Sequence, residues 1–130
     1  MFATWLYVST SMLGADADGE IANIRRAAEI NNLKLSLTGV LLFSGRHFAQ
    51  LLEGPAAGLE EMKRTICADK RHTDVITLQA GESRRRRYPN WSLAYSGRAT
   101  AVDTIISTSA RDSNAQEILL MMDEFVRGLH

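Results

Sequence analysis

The chain has 130 residues, 45% of them hydrophobic, and its fifteen basic side chains balance fifteen acidic ones. That length builds one domain with a substantial core, and the balance excludes a large nonspecific nucleic-acid surface, leaving room only for a local basic patch. No apolar run approaches the roughly 18 residues of a membrane span, and Met1-Phe2-Ala3-Thr4-Trp5 lacks the layout of a signal peptide. The lone Cys67 fits a reducing cytoplasm and a structural role.

In chain order, Trp5-Leu6-Tyr7-Val8-Ser9 is rich in β-formers and predicts a first strand. The Gly14–Gly19 segment predicts a loop with several candidate N-caps. A helix follows, with Ile21, Ile24, Ala28, Asn31 and Asn32 close to helical spacing, and the two asparagines end it. The run from Thr38 to Gly54 predicts a tight β-hairpin turning near Ser44-Gly45. Pro55 suits the first turn of a second helix, on which Leu59, Met62, Ile66 and Asp69 share a face and Lys70-Arg71-His72 closes the end. Val75–Leu78 predicts a short strand, and Trp91–Tyr95 another. A tail helix is expected from about Ser113 to Gly128, with a broad apolar stripe through Ile118, Leu119, Met121, Met122, Phe125, Val126 and Leu129.

This order predicts an α+β ferredoxin-like sandwich: a five-stranded mixed sheet, two helices on one face, and a C-terminal helical cap. Residues 1–97 would form the ligand-binding domain. Residues 98–130 would be an extension packing on the sheet or at an oligomer interface.

One residue is out of place in an ordinary sandwich. Strand alternation puts Phe48, Gln50 and Leu52 on one face, so a carboxamide sits between two large apolar side chains. Left without partners it costs about 1–3 kcal/mol. If the two helices pack side by side, Ile24 and Ile66 wall an apolar slot. Amides lie at one end, Asp69, Arg71 and His72 at the other, with Tyr7 and Gln50 on the floor. Such a slot suits a flat heteroaromatic ligand with a polar edge and a polyhydroxylated or phosphorylated tail. Taken singly, Asn31, Asn32 and Asp69 also read as ordinary helix-end residues.

Tyr7, Asn31-Asn32, Leu37–Phe43, Phe48–Gly54, Ile66, Asp69–His72 and Trp91-Ser92-Leu93 follow one another in an order and spacing that resembles the BLUF domain. This is a blue-light sensor module using FAD, and the likeness runs from about Phe2 to Tyr95. The resemblance implies that Tyr7 is the photoactive tyrosine, donating an electron and a proton to excited flavin. It makes Gln50 the bridge from that tyrosine to the flavin N5/C4=O edge, and Asn32 a partner of the C4=O and N3–H edge. Asn31 would flank the ring, and Ile24 and Ile66 would sandwich it. Asp69, Arg71 and His72 would stand near the ribityl and phosphate groups. Trp91 would lie near Gln50 or away from it. In the family, the glutamine amide rotates or tautomerises after light, which red-shifts the flavin spectrum without net turnover.

Two positions depart from the family pattern. Leu93 stands where methionine is common, so dark recovery is expected to change on Leu93→Met. Thr65 stands where a longer polar side chain often reaches the flavin C2=O, so a water bridge or weaker affinity is expected. Arg84–Arg87 reads either as a solvated edge strand or as a site for phosphates, acidic partner surfaces or nucleic acid. His47 and His130 read as surface residues, Met121-Met122 as core or interface, and no metal-ligand spacing is present.

The resemblance implies a cytoplasmic, non-enzymatic photoreceptor that signals to a separate protein and forms a homo-oligomer. The alternatives are a flavin-binding reductase or a light-insensitive BLUF protein acting as an interaction module. A nicotinamide fingerprint, and the phosphate-cradling loop of an acyl phosphatase, are absent. An RNA-binding sheet would use Trp5, Tyr7, Phe48, Trp91 and Tyr95, against which the neutral charge weighs.

Overall fold

A computed structural model describes residues 1–13, 17–95, 100–112 and 114–128, with backbone alone for 17, 18, 91–95 and 100–102. Five strands and four helices follow in the order β1 (Phe2–Ser11), α1 (Ala17–Leu35), β2 (Thr38–Phe43), β3 (His47–Gly54), α2 (Ala56–Ala68), β4 (His72–Ser83), β5 (Trp91–Tyr95), α3 (Thr100–Asp112) and α4 (Gln116–Arg127). The sheet order is β4-β1-β3-β2-β5. β1 runs antiparallel to β3 and β4, β2 antiparallel to β3, and β5 parallel to β2. This is the expected mixed five-stranded α+β sandwich.

Alternation divides the sheet into two cores. Trp5, Tyr7, Leu41, Phe43, Phe48 and Leu52 face α1 and α2, packing with Ile21, Leu59 and Met62. Leu6, Val8, Val40, Leu42, Ala49 and Leu51 face the other way, onto Ile106 of α3 and Ile118, Leu119 and Met122 of α4. The tail stripe is therefore spent on the open sheet face. Met122 lies in this core and Met121 packs at its edge. Leu129 and His130, like the Gly14–Asp16 loop, fall outside the described residues.

Several sequence expectations need correction. The tail is two helices, not one: Thr100–Asp112 is helical although it is rich in serine, threonine and β-branched residues. Burial of Ile106 and packing of Ile105 and Ala110 on the core outweigh that weak propensity. α1 runs one turn past Asn31-Asn32, to Leu35. Ser36 then takes a left-handed φ of 57°, and the Leu37 N–H reaches the Asn32 carbonyl at 2.8 Å, a glycine-free C-terminal stop. α2 ends at Ala68, with Asp69 as its extended cap, so His72 opens a strand and does not close a helix. β4 is 12 residues long, not four, because its pairing with β1 carries it past the apolar run. Cys67, read as structural, is exposed on α2.

His47 is no plain surface residue. Its Nδ1 lies 2.7 Å from Asp103 of α3, and the Ser44 hydroxyl donates to the same carboxylate oxygen at 2.6 Å. The arginine run is no edge strand either. Arg86 donates to Thr38 Oγ1 and to the Glu53 and Ser36 carbonyls, and Arg87 pairs with Asp123 of α4 at 2.6 Å. Arg84 and Arg85 are exposed.

Gly39 is a point of close approach. Its φ is 154°, and a Cβ there would lie 1.8 Å from the Leu51 carbonyl oxygen of the neighbouring strand. Backbone cannot move away as a side chain would. Gly39→Ala is expected to destabilise the fold by about 3 kcal/mol, read as a lower urea midpoint at unchanged slope.

Candidate functional site: a cleft between two helices

A cleft lies between α1 and α2 above the sheet. α1 contributes Ile24, Ala27, Ala28, Asn31 and Asn32, and α2 contributes Met62, Thr65 and Ile66. Tyr7, Leu41, Phe48 and Gln50 rise from the sheet, and Asp69, Arg71 and His72 close the end beyond α2. All nine cofactor-contact candidates read from the sequence thus meet around one cavity. Leu41, Phe48, Ala27 and Met62 were not singled out as lining residues. Strand parity around Gln50 would have found Phe48, and helical spacing from Ile24 and Ile66 would have found Ala27 and Met62.

The out-of-place amide has its partner. Tyr7 and Gln50 face each other in the β1/β3 register, and the Tyr7 hydroxyl donates to Gln50 Oε1 at 2.7 Å. Gln50 is 5% exposed. Because Oε1 accepts from the phenol, the two N–H donors of Nε2 remain for other acceptors. Tyr7 stacks on Trp5 with ring centroids 4.5 Å apart. Burial pushes its phenol well above the ordinary range, and the negative charge of Asp69 adds to this. The phenol is therefore held neutral, as a donor.

Asn32 is 3% exposed, yet among the described residues neither its Nδ2 nor its Oδ1 has a hydrogen-bond partner. A buried carboxamide left so costs about 1–3 kcal/mol per unsatisfied group. It faces a cleft whose other carboxamides are Gln50 on the floor and Asn31 at the rim. A planar ligand with an acceptor and a donor on one edge would satisfy it, and a flavin ring has such an edge. Asn31 is exposed at the rim, and Thr65 is also exposed, its hydroxyl donating back to the Glu61 carbonyl at 3.2 Å.

At the far end Asp69 takes the Arg71 guanidinium through both oxygens, at 2.6 to 3.1 Å, and the Arg71 N–H at 2.9 Å. The hydrogen bonds from Arg71 hold the Asp69 carboxyl below the usual carboxylate range. This end of the cleft presents a paired charge, not a bare cation.

Trp91 and Leu93 lie on β5, and their side chains fall outside the described ones. Their register is defined. Leu93 pairs with Leu41, Leu41 with Gln50, and Gln50 with Tyr7, so one row crosses β5, β2, β3 and β1. Trp91 pairs with Gly39 in the next row of that face.

Among the described residues no cluster of three or more His, Cys, Asp or Glu is placed to hold a metal ion, and no helix is long and apolar enough to cross a membrane.

The sequence model of the family described as BLUF, sensors of blue-light using FAD, matches residues 2–94. The blue light- and temperature-regulated antirepressor BluF of Escherichia coli K12 is 41% identical over 61 residues, 47% of this chain and 15% of that protein. The photoactivated adenylate cyclase subunit beta of Euglena longa is 39% identical over 75 residues, 57% of this chain and 9% of that protein. The chain thus spans less than a sixth of either relative. The dark-state structure of the BLUF protein BlrB superposes with a TM-score of 0.76 at 33% identity, covering 90% of this chain and 91% of that one. With the family's sequence pattern, its fold and a cleft that brings the signature residues together, this chain belongs to the BLUF family of flavin-binding blue-light sensors.

Proposed function

We propose that the chain is a blue-light photoreceptor that binds FAD in the α1/α2 cleft and signals, without net turnover, to a separate partner protein. The observation that carries this reading is the 2.7 Å Tyr7–Gln50 hydrogen bond on the floor of a cleft whose Asn32 amide has no partner among the described residues. Residues 1–97 form the sensing unit in this reading, and the helical extension 98–130 carries the output.

Bound flavin supplies blue-light absorption and an oxidising excited state. The protein supplies the switch. Asn32 offers one donor and one acceptor to the ring edge, and Ile24 and Ile66 on the two helices exclude water from its faces. Asp69, Arg71 and the exposed Thr65 lie towards the tail. Tyr7 holds its proton against Gln50 Oε1. Half a turn of the Gln50 amide exchanges its carbonyl and amino ends, so the phenol must then accept where it had donated. The two arrangements differ by a hydrogen-bond pattern and not by a backbone change. Light therefore biases a two-state network, and β3 feels which state is occupied.

β3 is tied to the tail helices at both ends. His47 meets Asp103 of α3, and Glu53 holds the loop whose Arg87 and Tyr88 grip Asp123 of α4. These contacts favour α3 and α4 as the surface that changes for a partner.

The test is the visible spectrum of purified protein before and after blue light. Yellow protein that releases FAD on denaturation and shows a small reversible red shift is expected. Protein that takes up no flavin would overturn the cofactor reading. Flavin bound without a light response would leave the interaction-module or reductase alternative.

A further inference from the structure

The His72 imidazole lies at the end of the cleft with both nitrogens already engaged. Nε2 is 2.6 Å from the Ile66 carbonyl oxygen in the last turn of α2. A carbonyl only accepts, so Nε2 carries the proton and donates. Nδ1 is 2.7 Å from the Ser9 hydroxyl, and in the neutral ring it accepts that hydroxyl's proton. Ser9 is buried and follows Tyr7 by two residues, so it shares Tyr7's face of β1. The ring leaves no nitrogen for a ligand.

What the ring does touch is the switch. Its edge meets Tyr7 at a centroid distance of 6.1 Å and an interplanar angle of 69°, and Phe48 at 6.0 Å and 88°. With Trp5 stacked on Tyr7, the phenol ring has aromatic neighbours on β1 and β4. The backbone is shaped for this. The β1/β4 pairing slips between Val8 and Thr10, where Ile76 and Thr73 are the partners, and Asp74 within the slip takes a left-handed φ of 54°. A bulge of this kind re-aims the strand beside it, here the strand that His72 opens.

We infer that His72 is a positioning residue for the Tyr7–Gln50 pair, strapping β1 to the end of α2 through Ser9 and Ile66, and not a hydrogen-bonding contact to the cofactor. The inference rests on the photoreceptor reading for its kinetic consequence but not for the strap itself. Ile66 walls the cleft and Tyr7 floors it, so one ring sets their separation.

Ser9→Ala separates the two roles, because Ser9 does not line the cleft. In the flavin-free protein, nitrogen and proton NMR of the imidazole is expected to show a protected Nε2–H. Ser9→Ala is expected to shift the Nδ1 resonance, which loses its hydrogen-bond donor, and to move the Tyr7 ring resonances, while Ser9→Thr, which keeps the hydroxyl, restores both. In the flavin-loaded protein, Ser9→Ala is expected to change the dark-recovery rate by about fivefold, as loss of one hydrogen bond's restraint would, and His72→Phe by more. FAD affinity is expected to stay within about threefold in both, since neither removes a bond to the ligand. Tyr7 resonances unmoved by Ser9→Ala, or His72→Phe weakening FAD binding tenfold at unchanged recovery, would overturn the inference. If the wild type shows no photoresponse, the functional reading fails while the flavin-free measurement still decides the strap.

Discussion

Gln50→Leu is expected to abolish the light-induced spectral shift while flavin stays bound. Leucine fills most of the glutamine's volume between Phe48 and Leu52, so the sheet face keeps its packing. What it removes is the carboxamide that pairs with Tyr7 across β1 and β3, accepts its hydroxyl, and carries both a donor and an acceptor on one rotatable group. Without it, the phenol has no second arrangement to enter. Tyr7→Phe gives the same loss from the other partner, since the ring stack on Trp5 survives and only the hydroxyl goes. Each change leaves one buried polar group unpaired, at about 1–3 kcal/mol of stability. The measurement is a difference spectrum before and after blue light on flavin-loaded protein. A persistent red shift in Gln50→Leu would show that the amide is not the switch.

Glu53→Ala is expected to cost about 3 kcal/mol or more of stability, a large part of what a domain of this size has to lose. Glu53 is 2% exposed, and its two carboxylate oxygens accept the backbone N–H groups of Arg87 and Tyr88 at 2.8 and 2.9 Å. Truncation leaves both amides without that acceptor. It also frees the loop whose side chains hold α4: Arg87 and the Tyr88 hydroxyl both donate to Asp123. Urea unfolding measures the loss. Hydrogen exchange in α4 should rise even where the sheet remains protected. Equal protection of α4 in mutant and wild type would show that the loop does not hold the helix.

The same cluster sets an acid limit. Hydrogen bonds from Arg87 first, then from Tyr88, hold the Asp123 carboxyl below its ordinary range. Its folded value lies below its unfolded one, so its contribution is fully present above about pH 4 and falls away as pH drops through the folded value. At the other end, burial first and then the bond to Asp123 raise the Tyr88 phenol above its ordinary value. That contribution is present at neutral pH and declines as pH rises past the unfolded value of about 10. Asp123→Asn should therefore flatten the acid limb of the stability profile and leave the neutral plateau lower. An acid limb unchanged by Asp123→Asn would exclude this carboxyl as its source.

The elements and the cleft were legible in the sequence because their signals are local. Period-two alternation fixes the parity of Phe48, Gln50 and Leu52, and helical spacing puts Ile24 near Asn31-Asn32 and Leu59 near Ile66. The order of these motifs implies two helices over one sheet face, so their facing stripes had to form a slot. Sequence by itself thus determined the strand order along the chain, the face on which the odd amide lies, and the family. It did not reveal α3, whose serine- and threonine-rich segment becomes helical by burying Ile106 against the sheet.

Tertiary structure alone decided the polar partners, because each pair joins residues far apart in the chain. Tyr7 and Gln50 are 43 residues apart, Ser9 and His72 63, and His47 and Asp103 56. No local pattern encodes which hydroxyl reaches which nitrogen. That is why His72 reads from sequence as a polar group for a ligand, whereas in the fold both its nitrogens are spent on the protein. It is also why Glu53, inside the Phe48–Gly54 motif, has no role of its own in the sequence. A buried carboxylate becomes tolerable only where the fold brings two backbone N–H groups to it.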